Sequence, residues 1–196
     1  MRRIALSLLF LTLSIVACSR APVEVAAPSA TLPRSLWDHR PEAEQWTKSA
    51  LAALNGHGAA LVGTVPRDID KYCPGYRVAG TDGRAAFWVH FLSALAKHES
   101  TWRPEASGGE GRWHGLLQIS PATARGYGCR ARTADDLKNG GLNLACGIRI
   151  MAITVPRDGV ISQGMRGVAA DWGPFHQETK RLDIQAATLA QPQCAR

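Results

Sequence analysis

Residues 85–96 read Ala-Ala-Phe-Trp-Val-His-Phe-Leu-Ser-Ala-Leu-Ala, twelve successive positions without an acidic side chain, a lysine or an arginine. As a helix this run is apolar nearly all round, and a helix without a polar face is buried on most sides. The rest of the chain must therefore wrap it, and the sequence supplies more helices to do so. Pro41 opens a segment with Ala43, Trp46, Ala50, Leu51 and Leu54 at three- and four-residue spacing, and Gly56 ends it. Asp82 is placed to cap the central helix. Ser120-Pro121 is a cap followed by proline at the first helical position, and Thr133-Ala134-Asp135-Asp136 has the form of a capping box. Further helices are expected over 142–155, 160–170 and 178–189. A Gly-rich loop over 107–111 leads into Trp113-His114-Gly115-Leu116-Leu117-Gln118-Ile119, which reads as a short hairpin strand. The expected class is mainly α with a short β-hairpin, and 196 residues without an internal repeat suit one domain.

The first residues do not belong to that domain. Met-Arg-Arg precedes an apolar run of 14 residues over 4–17, the form of a secretory signal. The run is shorter than the ~20 residues a membrane-spanning helix needs. Ile15-Val16-Ala17-Cys18 resembles a bacterial lipobox, in which the chain is cut before the cysteine and its thiol is lipidated. Ser19 stands where aspartate would mark inner-membrane retention, so this resemblance implies an outer-membrane lipoprotein facing the periplasm. A plain secretory signal that happens to hold a cysteine is the alternative. The organisation expected is a signal over 1–17, a Pro-rich extended tether over 18–34 and a domain over 35–196.

Charge and cysteines fit an exported chain. The formal net charge is +7, and loss of Arg2 and Arg3 with the signal leaves +5, scattered along the sequence. Such an excess suits a soluble surface and a polyanionic partner. Export argues against nucleic acid but not against an anionic cell-wall polymer. Apart from Cys18 there are four cysteines, and in an oxidising compartment two disulfides are expected. Of three pairings, Cys129–Cys146 closes a local loop and Cys73–Cys194 ties an early loop to the C-terminus; these are favoured. Neither C-x-x-C nor H-E-x-x-H occurs, so no metal or cofactor is expected.

The central helix ends in Lys97-His98-Glu99-Ser100. Desolvation and the negative end of a helix both raise the pKa of a carboxyl placed there. A carboxylic acid that keeps its proton near neutral pH is what a glycosidic oxygen requires of a general acid. The plainer alternative is a solvated glutamate paired with Lys97 or Arg103.

Three ordered blocks bear on that choice: Glu99-Ser100-Thr101-Trp102-Arg103-Pro104-Glu105-Ala106-Ser107, then Gly115-Leu116-Leu117-Gln118-Ile119-Ser120-Pro121-Ala122-Thr123-Ala124, then Asn143-Leu144. Together they resemble the lytic transglycosylase (SLT) family over roughly 84–172. The resemblance implies a lysozyme-like helical domain and glycan strands of peptidoglycan as substrate. It implies that Glu99 protonates the oxygen between N-acetylmuramic acid and N-acetylglucosamine. Glu99 would then act as base while the muramoyl C6 hydroxyl attacks the anomeric carbon, leaving a 1,6-anhydro end. No second carboxylate stands out, whereas hydrolytic glycosidases normally need one. By the same resemblance Gly115 lets the backbone pass behind the sugar groove, and Gln118 offers its amide to the glycan. Leu117, in place of a usual methionine, lines the groove or the core. Asn143 builds the groove wall or caps a helix, and Ser100 orients the glutamate or bonds the backbone. Trp113 is the tryptophan best placed to stack on a sugar, with core packing as the alternative. For His98 and His114, capping or packing is expected.

Three departures from the family pattern stand out. Gly115 follows Glu99 by sixteen positions, one more than usual. Ser107 is consequently one place early for the family's substrate-holding loop serine. The family's closing A-Y-N-A-G-P, whose tyrosine bonds the catalytic carboxyl, is replaced by Ala169-Ala170-Asp171-Trp172-Gly173-Pro174: either the chain is a relative with a Trp-centred ending, or Asp171 or Tyr127 substitutes for the tyrosine. Two alternatives to the transglycosylase remain: a hydrolytic muramidase on the same fold, and a lipoprotein that grips peptidoglycan without cleaving it.

Overall fold

A computed structural model describes residues 31–195. The signal over 1–17, Cys18 and the tether as far as residue 30 lie outside the described residues. The compact unit of contacts begins at Leu32.

Seven α-helices occur among the described residues: α1 Ala43–Asn55, α2 Ala59–Gly63, α3 Thr81–Ser100, α4 Pro121–Gly126, α5 Ala134–Lys138, α6 Gly140–Asp158 and α7 Glu178–Leu189. Two short strands, β1 Ser107–Gly108 and β2 Trp113–His114, form an antiparallel hairpin between α3 and α4. The all-apolar run is the middle of α3. Phe87, Trp88, Val89, Phe91, Leu92, Ala94, Leu95 and Ala96 are fully buried there, each large side chain contributing about 1.5–3 kcal/mol. Helices α1, α2 and α7 pack around α3, and α6 packs on α1, α2 and α5. The aromatic centre is also wired by polar groups. The Trp88 indole donates to the Tyr76 hydroxyl at 3.0 Å, and that hydroxyl donates to the Val62 carbonyl at 3.0 Å.

The caps read from the sequence are present in part. The Ser120 hydroxyl accepts from the Thr123 N–H, and the Thr133–Asp136 capping box is complete. Asp82 is not the cap of α3: Gly80 holds that position in extended conformation, and Asp82 lies in the first turn, where its charge still favours the helix N-terminus. The helix expected over 160–170 is absent. The Asp68 carboxylate accepts the backbone N–H groups of Ile161, Ser162 and Gln163 at 2.7–2.9 Å, and Gly164, Met165 and Gly167 then take left-handed conformations that no α-helix can contain. Gly167 sits at φ +63 with room for no side chain, since a Cβ would lie 2.1 Å from the Val160 carbonyl oxygen. The segment is two 3₁₀ turns, Gln163–Met165 and Gly167–Ala170. Only Trp113 and His114 of the expected strand pair with β1; the chain then reverses tightly, and a single bridge joins His114 to Ile119. Both favoured disulfides form, Cys129–Cys146 and Cys73–Cys194. No helix among the described residues is long and apolar enough to cross a membrane.

Candidate functional site

The last turn of α3 ends without a glycine. Thr101 and Trp102 both take left-handed conformations, φ 51° and 55°, a geometry that costs a non-glycine residue about 1 kcal/mol or more. The Trp102 indole donates to the Ser93 carbonyl at 2.8 Å and stands edge-on to His39, which holds this exit. The abrupt exit leaves Glu99 on the final turn, partly buried, facing a cleft of about 350 Å³. Trp113, Gln118, Asp171, Trp172, Gln177 and Lys180 share that cleft.

No group among the described residues hydrogen-bonds the Glu99 carboxyl. Burial pushes its pKa up to about 7, against a smaller opposing pull from the Lys180 ammonium. The group therefore keeps its proton into the neutral range and points it at open space. His98, next along α3, is engaged elsewhere: its Nε2 bonds the Asp183 carboxylate of α7 at 2.8 Å, and Lys97 pairs with the same oxygen.

The loop beneath the cleft is clamped from α6. Asn143, fully buried, accepts from the Leu117 N–H and donates its amide to the carbonyls of His114 and Leu137, each at 2.9 Å. Its side chain is thereby spent, so it is a loop clamp and not a substrate-facing wall. Leu117, fully buried, belongs to the core and not to the groove surface. Ser100 is buried too, and its hydroxyl bonds the Ala96 and Leu116 carbonyls without touching Glu99. Gly115 does need to be glycine, at φ +78, but the close approach is to protein: a Cβ would lie 2.0 Å from the Leu137 carbonyl oxygen and 2.4 Å from the Asn143 amide nitrogen. Gln118 reaches the cleft, with its amide nitrogen donating to the Ala106 and Gly115 carbonyls. Ser107 is exposed on the hairpin and shares a hydrogen bond with His114 Nδ1 at 3.0 Å.

The closing segment has Ala170 where the family pattern has tyrosine, and Trp172 follows two positions later. The Trp172 indole donates to the Leu117 carbonyl at 2.9 Å, tying this segment to the clamped loop. Asp171 borders the cleft with its pKa raised, chiefly by desolvation, and Tyr127 feels the Asp171 charge. Neither bonds Glu99, so the tyrosine's hydrogen bond is not replaced. Trp113 is 42% exposed beside the cleft, with the Arg112 guanidinium 4.9 Å from its ring centroid. Lys180 and Gln177 are cleft residues that the sequence did not signal, because α7 carries no motif. Among the described residues no cluster of three His, Cys, Asp or Glu side chains could hold a metal ion.

Three solved structures of Bd0314 DslA, one wild-type and two single glutamate-to-glutamine variants, superpose with TM-scores of 0.76 to 0.77. Each is 27% identical and covers 85% of this chain and 100% of the other. A search of curated proteins finds no match. Residues 81–159, from the start of α3 past the end of α6, match the family model "Transglycosylase SLT domain", and the fold is the SLT, lysozyme-like one.

Proposed function

We propose that this chain cleaves peptidoglycan glycan strands as a lytic transglycosylase. Glu99 donates its proton to the oxygen linking N-acetylmuramic acid to N-acetylglucosamine as that bond breaks. The carboxylate then takes the proton of the muramoyl C6 hydroxyl as its oxygen bonds the anomeric carbon, closing a 1,6-anhydro ring. The observation that carries the reading is Glu99 itself: a partly buried carboxyl, protonated to about pH 7 and free of protein partners, at a cleft in the SLT-matching segment. A carboxylate that must both give and accept a proton works best with a pKa near the working pH. Such a group also argues against a purely binding role, for which an uncompensated buried acid has no use.

A hydrolytic reading has one observation in its favour. The glutamates substituted in the two DslA variants stand eleven positions apart in that chain. Glu99 and Glu110 stand eleven apart here. Glu110 occupies the hairpin tip at φ 59°, between Gly109 and Gly111 and three residues before Trp113 of the cleft. A carboxylate in that loop is the type of group that activates water. Mass spectrometry of digested sacculi separates the two: anhydro ends mark transglycosylation, reducing ends hydrolysis. Glu99→Gln abolishes either product, whereas Glu110→Gln leaves anhydro products intact and removes reducing ends. Full cleavage by Glu99→Gln refutes both.

Residues 1–18 support export and lipidation at Cys18, placing the enzyme on the periplasmic face of the outer membrane. Palmitate labelling that persists in a Cys18→Ala variant refutes the anchor.

A further inference from the structure

A second cleft, of about 530 Å³, lies on the far side of α6 from Glu99. Leu142, Ala145, Cys146 and Arg149 line it at i, i+3, i+4, i+7 spacing along one face of α6. Asn143 and Gly147, on another face of the same helix, contact Leu117 beneath the Glu99 cleft. One helix thus separates the two concavities.

The chemistry of the second cleft is one-sided. Arg130, Arg149 and His57 stand around it, and none of its lining residues is acidic. Neither the Arg130 nor the Arg149 side chain forms an ion pair or hydrogen bond among the described residues. Most other arginines of the domain are engaged: Arg77 with Asp70, Arg157 with Asp158, Arg84 with the Tyr76 carbonyl, Arg103 with the Ser100 carbonyl. Apolar groups share the cleft, Ala52, Ala53, Leu142, Ala145 and the Cys129–Cys146 disulfide, with Ser49 and Asn139 as its uncharged polar members. The disulfide fixes Arg130, which follows Cys129, against α6. The His57 ring is held by a 2.9 Å bond from Nε2 to the Ala145 carbonyl. Two guanidiniums beside alkyl groups suit a peptide that carries both carboxylates and alkyl side chains.

We propose that this cleft is a second binding site, for the carboxylate-bearing stem peptides of peptidoglycan. The proposal rests on the wall as substrate, and it adds a contact that holds the strand's peptides while Glu99 works on a sugar. Carboxylates pair with Arg130 and Arg149, and the alkyl parts of the peptide lie over Leu142 and Ala145.

The test is a backbone NMR titration of the folded domain, disulfides intact, with the free tetrapeptide L-Ala-γ-D-Glu-meso-diaminopimelate-D-Ala. Saturable shifts are expected at His57, Arg130, Leu142 and Arg149 and not at Glu99 or Gln118. An Arg130→Gln/Arg149→Gln double variant, both side chains reaching solvent, is expected to bind about tenfold more weakly, with its amide spectrum otherwise unchanged. Its cleavage of peptide-free glycan strands stays at the parent rate. Inorganic phosphate is the second probe. Equal binding of the tetrapeptide by the parent and the double variant, or shifts centred on Glu99, overturns the site. Phosphate binding as tight as the tetrapeptide overturns the peptide assignment. The titration involves no bond cleavage, so an inactive Glu99 would leave its outcome unchanged, and loss of peptide binding would leave the role of Glu99 standing.

Discussion

Glu99→Gln removes the group that gives the cleft its chemistry, and it also removes a titration that weakens the fold. The Glu99 pKa rises from an ordinary 4.5 to about 7, mainly because ionising it requires charge in a partly dry site. At 1.36 kcal/mol per pH unit the difference amounts to about 3 kcal/mol. Below pH 4.5 the folded and unfolded chains both hold the proton, and the residue costs nothing. Between pH 4.5 and 7 the unfolded chain ionises while the folded one does not, so stability falls as pH rises. Above pH 7 both are ionised and the full deficit is present. Glutamine is nearly the same shape and does not titrate. The variant is therefore expected to match the parent at pH 4 and to exceed it by about 3 kcal/mol at pH 8, or ~6–12 °C in Tm for a domain of this size. Urea unfolding followed by tryptophan fluorescence at pH 4, 6 and 8, disulfides intact, measures this. A stability difference that is the same at pH 4 and pH 8 refutes the buried, proton-retaining carboxyl.

Three other outcomes follow from the same geometry. The cleavage rate is expected to fall above about pH 7 as Glu99 loses its proton; Lys180→Met, which removes the cation that pulls this pKa down, moves that limb to higher pH. An unmoved limb places the lysine's charge outside the site. Asn143→Ala strands the Leu117 N–H and the Leu137 carbonyl in the core and leaves the His114 carbonyl with the Ile119 N–H alone, at a cost of about 3 kcal/mol. Thermal denaturation reads that cost, and glycan cleavage should fall with it. Replacing Cys73 and Cys194 by serine opens a link across 121 positions and is expected to cost about 4–5 kcal/mol, against about 3 for the 17-position Cys129–Cys146 loop. Paired urea titrations of the two double variants check the order.

How much of this was legible in the sequence depended on whether a signal was local. The all-apolar run fixed a buried helix because burial on every side is visible in the residues of that helix alone. The caps at Ser120 and Thr133 were legible for the same reason, their partners being three residues away. The segment over 160–170 misled, because its apolar residues satisfy a helical spacing while Gly164, Met165 and Gly167 take left-handed conformations. The Gly167 N–H goes to the Asp158 carboxylate and the segment's start is held by Asp68, more than ninety positions earlier, contacts that no local pattern records. Asn143, Leu117 and Ser100 show a related limit. A motif records that a residue type is needed, but not whether it faces the ligand or holds up the loop that does. Gln118, from the same block as Leu117, does face the cleft, and so does Trp113, two residues before that block.

What the motif residues build together is a support that leaves one carboxyl free. The strained exit at Thr101 and Trp102 ends α3 just past Glu99, and Ser100 ties that turn to Leu116 of the loop. Asn143 fixes the same loop from α6, and Trp172 fixes it from the C-terminal segment through the Leu117 carbonyl. Three elements therefore converge on Leu116-Leu117, and none of them bonds Glu99. A hydrogen bond donated to the ionised carboxylate would have stabilised it and lowered its pKa. By bracing the backbone around the acid and leaving its oxygens without a protein hydrogen bond, the fold keeps the proton on Glu99, which is what the proposed donation to a glycosidic oxygen requires.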